Sequence, residues 1–341
     1  MQRCLNLAKL GTGYVAPNPM VGAVLVHNDR IIGEGYHQEY GKAHAEVNCI
    51  NSVSEADIPL IKESILYVSL EPCVHHGKTP PCADLIIKNK IPTVVVGCRD
   101  SYEEVNGRGI EKLKAAGVNV IVGILEKECL ELNKRFFTFH IKHRPYIILK
   151  WAQSKNGKIA NADYSKLSIS NEQTNRLVHK WRSEEAAIMV GTNTALQDNP
   201  SLTTRLVPGN NPVRLVIDME LKLPATLNLF DGSVRTIVFN KIKHSEETVL
   251  YYKIDEQKNV VKEILKALYQ LRIQSVLIEG GTKLLQSFID SSNWDEARII
   301  TNTELTIENG IEAPVLKDGI INHKESIISD SISYYTKKHD E

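Results

Sequence analysis

The sequence has no excess of either charge: its 341 residues carry 41 Lys and Arg against 41 Asp and Glu, a formal net charge of zero. No Lys/Arg-rich block interrupts it. That balance argues against a nucleic-acid partner, whose phosphates draw a basic excess or stripe. No apolar run approaches the ~20 residues of a membrane-spanning helix. The segment Met1 to Leu10 has helical spacing at Leu5, Ala8 and Leu10 but lacks the sustained apolar core of a signal peptide. The six cysteines show no disulfide framework and read as free thiols in a reducing compartment, the cytoplasm. Internal repeats and low-complexity tracts are missing. So is G-x-G-x-x-G, which removes the ordinary dinucleotide-binding fingerprint.

What is present is concentrated in the first quarter. His44-Ala45-Glu46 and Glu71-Pro72-Cys73, followed by Thr79-Pro80-Pro81-Cys82, offer one imidazole and two thiolates. Three nitrogen and sulfur ligands leave the fourth position of a tetrahedral zinc site open, as catalysis requires. Glu46, two residues from a ligand, is a carboxylate placed to take a proton from water and hand it to a leaving group. H-x-E followed by P-C and a second cysteine is the signature of zinc-dependent base deaminases. Here eight residues separate the cysteines instead of two, so the spacing predicts Cys73 at a strand end and Cys82 at the start of the next helix. The loop between them, with Gly77, Pro80 and Pro81, is expected to face the substrate.

The periodicity predicts a helix over residues 1–13, a hairpin of strands 21–26 and 31–36, and a helix starting at His44. Strands follow at 64–70, 93–98 and 118–122, with helices at 82–88, at 109–116 and from about Glu126. After a polar connector, Lys142 to Pro145, come strands at 146–151, 186–190, 213–217, 236–240 and 275–278, and helices at 172–180 and 283–289. Ile327 to Tyr335 is one further β-favouring piece. Alternation of this kind gives sheets sandwiched between helices, with domains at 1–143 and 144–341. Cys4, Cys49, Cys98 and Cys129 read as structural, Trp151 and Trp181 as core, and Gly33 and Gly35 as strand-end geometry. In the second half, Glu279-Gly280-Gly281-Thr282 between a strand and a helix reads either as a plain turn or as a place where backbone N–H groups approach an anion. The loop from Asp198 to Arg205 reads equally as a solvated loop or as a phosphate loop with Arg205 as bidentate partner.

Across nearly its whole length the sequence resembles the bifunctional riboflavin-biosynthesis deaminase/reductase family. The motifs that carry the likeness are Pro17-Asn18-Pro19-Met20-Val21-Gly22, Gly35-Tyr36-His37, the zinc motifs above, Lys150-x-Ala152-x-Ser154, Val190-Gly191-Thr192, Asp198-Asn199-Pro200-x-Leu202-Thr203-x-Arg205 and Glu279-Gly280-Gly281. The resemblance implies an N-terminal cytidine-deaminase-like three-layer α/β/α domain and a C-terminal dihydrofolate-reductase-like α/β domain. It implies one zinc ion per chain, held by His44, Cys73 and Cys82, with Glu46 catalytic. The reactions implied are hydrolytic deamination of a phosphorylated diamino-ribosylaminopyrimidine, then NADPH-dependent reduction of the ribosyl chain to ribityl. Asn18, His37, His75, Ser165, Arg182, Leu202, Arg205 and Glu279 would meet substrate. Ala152, Ser168, Thr194, Asp198 and the segment Gly281, Thr282, Lys283, Leu284, Leu285, Gln286, Ser287 would meet NADPH. No membrane or nucleic-acid partner is implied, and a homo-oligomer is. Two positions depart from the family: Ser168 stands where Trp is usual, and Asn156-Gly157 replaces Asp-Gly. The alternatives are a nucleoside or tRNA-base deaminase with an unrelated C-terminal domain, or a structural zinc module without catalysis.

Overall fold

The computed structural model describes residues 1–74, 80–100 and 106–338. The chain divides into two compact units, Met1–His143 and Arg144–Glu341.

The first unit runs α1 (Gln2–Ala8), β1 (Gly22–His27), β2 (Arg30–Tyr36), α2 (Ala45–Asn51), β3 (Ile65–Leu70), α3 (Cys82–Lys88), β4 (Thr93–Cys98), α4 (Arg108–Ala115), β5 (Asn119–Val122), α5 (Glu126–Leu132) and α6 (Lys134–Lys142). The first helix is shorter than the 1–13 expected: it tightens to a 3-10 turn over Lys9–Gly11, and Gly13 takes φ +81°, which no helix interior holds. The hairpin turns through Asn28 (φ 44°) and Asp29 (φ 60°), the paired left-handed residues whose twist matches the strands they join. Strand order is β2-β1-β3-β4-β5. β1 is antiparallel to β2 and β3, and β3, β4 and β5 run parallel. Alternate strand residues separate two layers. Ala23, Leu25, Leu66, Val68, Val94 and Val96 pack with Ala45 and Cys49 of α2, Ala83 and Ile86 of α3 and Leu113 of α4. On the other face Val24 and Tyr67 meet Cys4 and Leu7 of α1, and at the strand ends Leu70 and Cys98 meet Leu5 of α1, Cys129 of α5 and Phe136 and Phe137 of α6. The sheet thus lies between two helical layers, the α/β/α arrangement expected.

The second unit runs β6 (Tyr146–Gln153), β7 (Lys158–Asn161), α7 (Glu172–Glu184), β8 (Ala187–Gly191), α8 (Thr192–Asp198), β9 (Val213–Ile217), β10 (Thr236–Asn240), β11 (Ser245–Glu246), β12 (Val249–Lys253), α9 (Val260–Gln270), β13 (Ser275–Glu279), α10 (Thr282–Asp290), β14 (Glu296–Asn302), β15 (Gly310–Glu312), β16 (Gly319–Ile327) and β17 (Asp330–Lys337). Ten strands form one sheet in the order β11-β12-β10-β9-β8-β13-β6-β14-β17-β16. From β12 to β14 every pair is parallel. The β11 strand at one end and the β17–β16 hairpin at the other are antiparallel. The parallel centre is buried on both faces, which is why these strands read as continuous apolar runs. Ile147 and Leu149 pack under α9 and α10 with Ile264, Leu268, Leu285 and Phe288, while Ile148 turns to Val178 and Trp181 of α7. The piece Ile327 to Tyr335 is not one strand: it spans a turn at Ile328 (φ 54°) between β16 and β17.

Candidate active sites

In the first unit the helix starts one residue later than expected. His44 is the extended N-cap residue of α2 (φ −73°, ψ 167°) and only Glu46 lies in the first turn. The cap position swings the imidazole away from the helix axis toward the two cysteines. Its Nδ1 lies 3.6 Å from Cys73 Sγ and 3.4 Å from Cys82 Sγ, and these ligand atoms all lie within 4.8 Å of one another. A tetrahedron with bonds of about 2.1–2.3 Å has edges of about 3.5 Å, so the donor set fits a zinc ion by separation as well as by chemistry. Cys82 is the first residue of α3. Its amide points at Cys73 Sγ (3.4 Å) and the Ala83 amide donates to the Cys73 carbonyl (3.1 Å), so a helix start holds Cys73 three residues beyond β3. Hydrogen bonding from Cys82 first, then from His44, holds the Cys73 thiol well below its ordinary pKa. Glu46 is 3% exposed; burial first, then the neighbouring Cys73, pushes its carboxyl up.

Asn18 and His37 stand beside this centre. The His37 and His44 rings meet edge-on at 5.4 Å. His37 Nδ1 lies 3.0 Å from the Ala43 carbonyl, which only accepts, so the ring proton sits on Nδ1. Nε2 then accepts from the Asn18 amide nitrogen at 3.1 Å, leaving Asn18 Oδ1 as the group available to a ligand. Burial lowers the His37 pKa and keeps the ring neutral. The backbone that carries these groups is set by close approaches. A Cβ on Gly35 would lie 2.2 Å from the Cys49 amide nitrogen, and one on Gly109 would lie 2.0 Å from the Pro72 carbonyl oxygen. Only glycine lets α2 and α4 pack that near. Glu71, buried, accepts backbone N–H bonds from Asp100 (3.2 Å), Gly107 (3.0 Å), Gly109 (2.9 Å) and Ile110 (3.2 Å), tying the strand end before Cys73 to the start of α4. His75 and the rest of 75–79 lie outside the described residues.

In the second unit the predicted residues collect at the C-terminal ends of three adjacent parallel strands, where open α/β sheets hold ligands. Ala152 is near the end of β6, Glu279 ends β13 with Gly280 and Gly281 following, and Thr194 is in α8 directly after β8. The Gly281 amide donates to Thr194 Oγ1 (3.1 Å), joining the two loops at the start of α10. Arg182 of α7 makes a bidentate pair with Glu279 (2.9 and 2.8 Å), and Lys150 of β6 lies 3.6 Å from the same carboxylate. All three side chains are largely shielded, 11–14% exposed. Burial alone would raise the Glu279 carboxyl; Arg182 and Lys150 outweigh it and hold it down at about 2. Burial lowers Lys150, partly offset by Glu279. Sequence reasoning assigned Lys150 no role, though a single lysine inside the run Tyr146 to Trp151 is a signal. Leu202 is buried in the left-handed region (φ 52°), and Arg205 reaches Thr203 Oγ1 (2.8 Å). Asp198 closes α8. Within 281–287, Leu285 is fully buried in the core, so its side chain does not reach the strand ends. Ser165 and Ser168 are exposed, and their hydrogen bonds run to Asn161, Asp163 and Ser170. Asn156, at the family's Asp position, bonds Ser154 Oγ and the Ile307 backbone (2.7, 2.8 and 3.2 Å), a bracing role an amide fills.

Fold and site together define a zinc-dependent deaminase unit followed by a reductase unit. Residues 1–98 match the cytidine and deoxycytidylate deaminase zinc-binding region, and residues 145–305 match the RibD C-terminal domain. The riboflavin biosynthesis protein RibD of Aquifex aeolicus (strain VF5) is 40% identical over 306 residues, covering 86% of this chain and 83% of that protein. The RibD of Escherichia coli (strain K12) is 34% identical over 315 residues, 87% of this chain and 84% of that one. A crystal structure of a diaminohydroxyphosphoribosylaminopyrimidine deaminase/5-amino-6-(5-phosphoribosylamino)uracil reductase from Thermotoga maritima superposes with TM-score 0.91 at 37% identity, covering 99% of this chain and 97% of that chain. The chain belongs to the RibD family: it is a bifunctional enzyme of riboflavin biosynthesis, a hydrolase and an oxidoreductase. The RibD C-terminal match removes the alternative of an unrelated second domain.

Proposed function

We propose that the first unit hydrolyses the ring amino group of a diamino-ribosylaminopyrimidine 5′-phosphate and that the second reduces the ribosyl chain of the product with NADPH. The observation that carries the first step is the pair of 3.4 and 3.6 Å nitrogen–sulfur separations with a buried carboxylate two residues from the imidazole. His44, Cys73 and Cys82 would hold one zinc ion, which when bound polarises water for attack. Glu46 moves the proton from that water to the departing amino group, which leaves as ammonia while the ring carbon gains oxygen. Asn18, with its amide nitrogen committed to His37, offers Oδ1 to a ring N–H, and His37 orients it.

In the second unit Arg182, Arg205 and Lys150 oppose one carboxylate, Glu279, an excess of positive charge that suits a phosphate dianion. The dinucleotide would lie along the strand ends from Ala152 past Gly281 to Thr194 and Asp198, and supplies hydride. The ribosylamine, opened to its imine, accepts that hydride at the former anomeric carbon and a proton at nitrogen. The protein's own part is to orient the two reactants and keep the phosphate in register. We place this chemistry in the cytoplasm, in keeping with six unpaired thiols. The test is to supply zinc, NADPH and the phosphorylated diamino-ribosylaminopyrimidine and record ammonia release and NADPH oxidation on one sample. Both signals are expected. Ammonia without NADPH loss would refute the second assignment, and silence in both with zinc bound would refute the substrate.

A further inference from the structure

We propose that His179 is a positioning residue of the reduction site, holding the backbone of Arg205 against α7 so that Arg205 and Arg182 face the substrate phosphate together. The inference rests on the reading that these arginines take that phosphate. His179 is 6% exposed and precedes Arg182 by three residues, so both lie on one side of α7. Its Nδ1 is 2.9 Å from the Arg205 backbone nitrogen. An amide N–H only donates, so Nδ1 accepts, the ring is neutral and its proton sits on Nε2. Burial first, then the charges of Arg182 and Arg205 with that of Lys150, against the opposing pull of Glu279, push the imidazole down to about 4, so the acceptor persists throughout neutral pH.

The loop needs such an anchor. Between α8 and β9 it carries Leu202 in the left-handed region. Arg214 of β9, fully buried, pins its start by donating Nε–H to the Ser201 carbonyl (2.9 Å). Asn211 holds its middle through the Thr204 amide (2.8 Å). The hydrogen bond from Arg205 to His179 joins the same middle stretch to the helix that bears Arg182. A phosphate site whose arginine is placed beforehand spends less binding free energy on ordering it.

The experiment uses the full chain with His179→Leu, His179→Asn and Arg205→Ala. It measures KM and kcat for the phosphorylated deamination product and for its dephosphorylated form, KM for NADPH, and competitive inhibition by inorganic phosphate. Asn carries an acceptor where Nδ1 sits; Leu carries none. Leu is expected to raise KM for the phosphorylated compound, and the phosphate inhibition constant, by about tenfold, the effect of one hydrogen bond to a buried acceptor. KM for NADPH, kcat and KM for the dephosphorylated compound stay near wild type, and Asn restores most of the loss. Fluorescence of the buried Trp151, Trp181 and Trp294 on the same samples reports that the second unit has folded, and His179→Gln, whose acceptor sits one bond further out, takes the place of Leu should Leu not accumulate. Unchanged KM for the phosphorylated compound in the Leu protein, an equal rise with the dephosphorylated one, or no rescue by Asn would each overturn the role of His179. Should Arg205→Ala itself leave KM unchanged, the phosphate reading fails and the inference with it.

Discussion

Replacing Glu279 by Gln tests the charge balance of the second unit. Arg182 and Lys150 outweigh burial and hold the carboxyl at about 2, well below its ordinary value of 4.5 in the unfolded chain. A depression of that size is on the order of 3 kcal/mol of stability at neutral pH. An independent route gives the same scale: removing one partner of a buried ion pair typically costs about 3–5 kcal/mol, because it strands the other charge, here Arg182 and Lys150. The sign follows from a depressed carboxyl. The contribution is fully present above pH 4.5 and is lost as pH falls through 2, so linkage leaves ~2 kcal/mol of it at pH 3.5. All three tryptophans, Trp151, Trp181 and Trp294, lie buried in the second unit, so urea unfolding followed by tryptophan fluorescence reports on that unit alone. The wild type should exceed Glu279→Gln by roughly 3 kcal/mol at pH 7 and by distinctly less at pH 3.5. A gap below ~1 kcal/mol at pH 7, the range of an exposed ion pair, or a gap that does not narrow with acid, would refute the reasoning.

Glu46→Gln keeps the side chain's size and removes its base. Zinc content should stay at the wild-type level while ammonia release falls about 10²–10⁴-fold and reduction of separately supplied deaminated substrate is unaffected, measured by metal analysis and the two rate assays. Stripping the metal with a chelator should abolish ammonia release, leave NADPH oxidation on the deaminated compound intact, and be reversed by added zinc. Gly109→Ala forces a Cβ to 2.0 Å from the Pro72 carbonyl. The first unit should lose about 1–3 kcal/mol, seen as a lowered deaminase inactivation temperature with reductase inactivation unchanged.

The zinc centre was legible in the sequence because its chemistry is local. Three ligands and a base fall in two short segments, and the eight-residue gap between Cys73 and Cys82 implies a loop that ends in a helix start. The central strands of the second unit were legible for a related reason: Tyr146 to Leu149 and Val276 to Ile278 are apolar on both faces. The reduction site was not, because Lys150, Arg182 and Glu279 come from β6, α7 and β13, and only the sheet order β13 beside β6 brings them together. The β14 strand escaped because its buried positions include Glu296 and Arg298, paired at 2.7 Å, which breaks the expected alternation. The α9 helix carried a readable signal that went unused: Asn259 caps it by accepting from the Lys262 amide, ahead of an apolar stripe through Val261, Ile264, Leu265 and Leu268.

In both units the groups that do chemistry are outnumbered by groups that only hold them. Cys73 follows a strand end whose Glu71 spends its carboxylate on four backbone amides, and α4 approaches Pro72 only because position 109 has no side chain. Arg214, fully buried, spends its guanidinium on Ser201, Asp231 and Ser233. A buried carboxylate or guanidinium with backbone partners is costly to place. That a loop needs one implies that its position matters to about an ångström, the tolerance at which a misaligned reactant loses orders of magnitude in rate. Such residues carry no nucleophile, acid or ligand, so a motif search passes over them. Their signature is instead a charged side chain, deeply buried, whose hydrogen bonds go to the main chain, as at Glu71, or to a loop's own carbonyl, carboxylate and hydroxyl, as at Arg214, and it is by that signature that the supports of an active site can be found once its ligands are known.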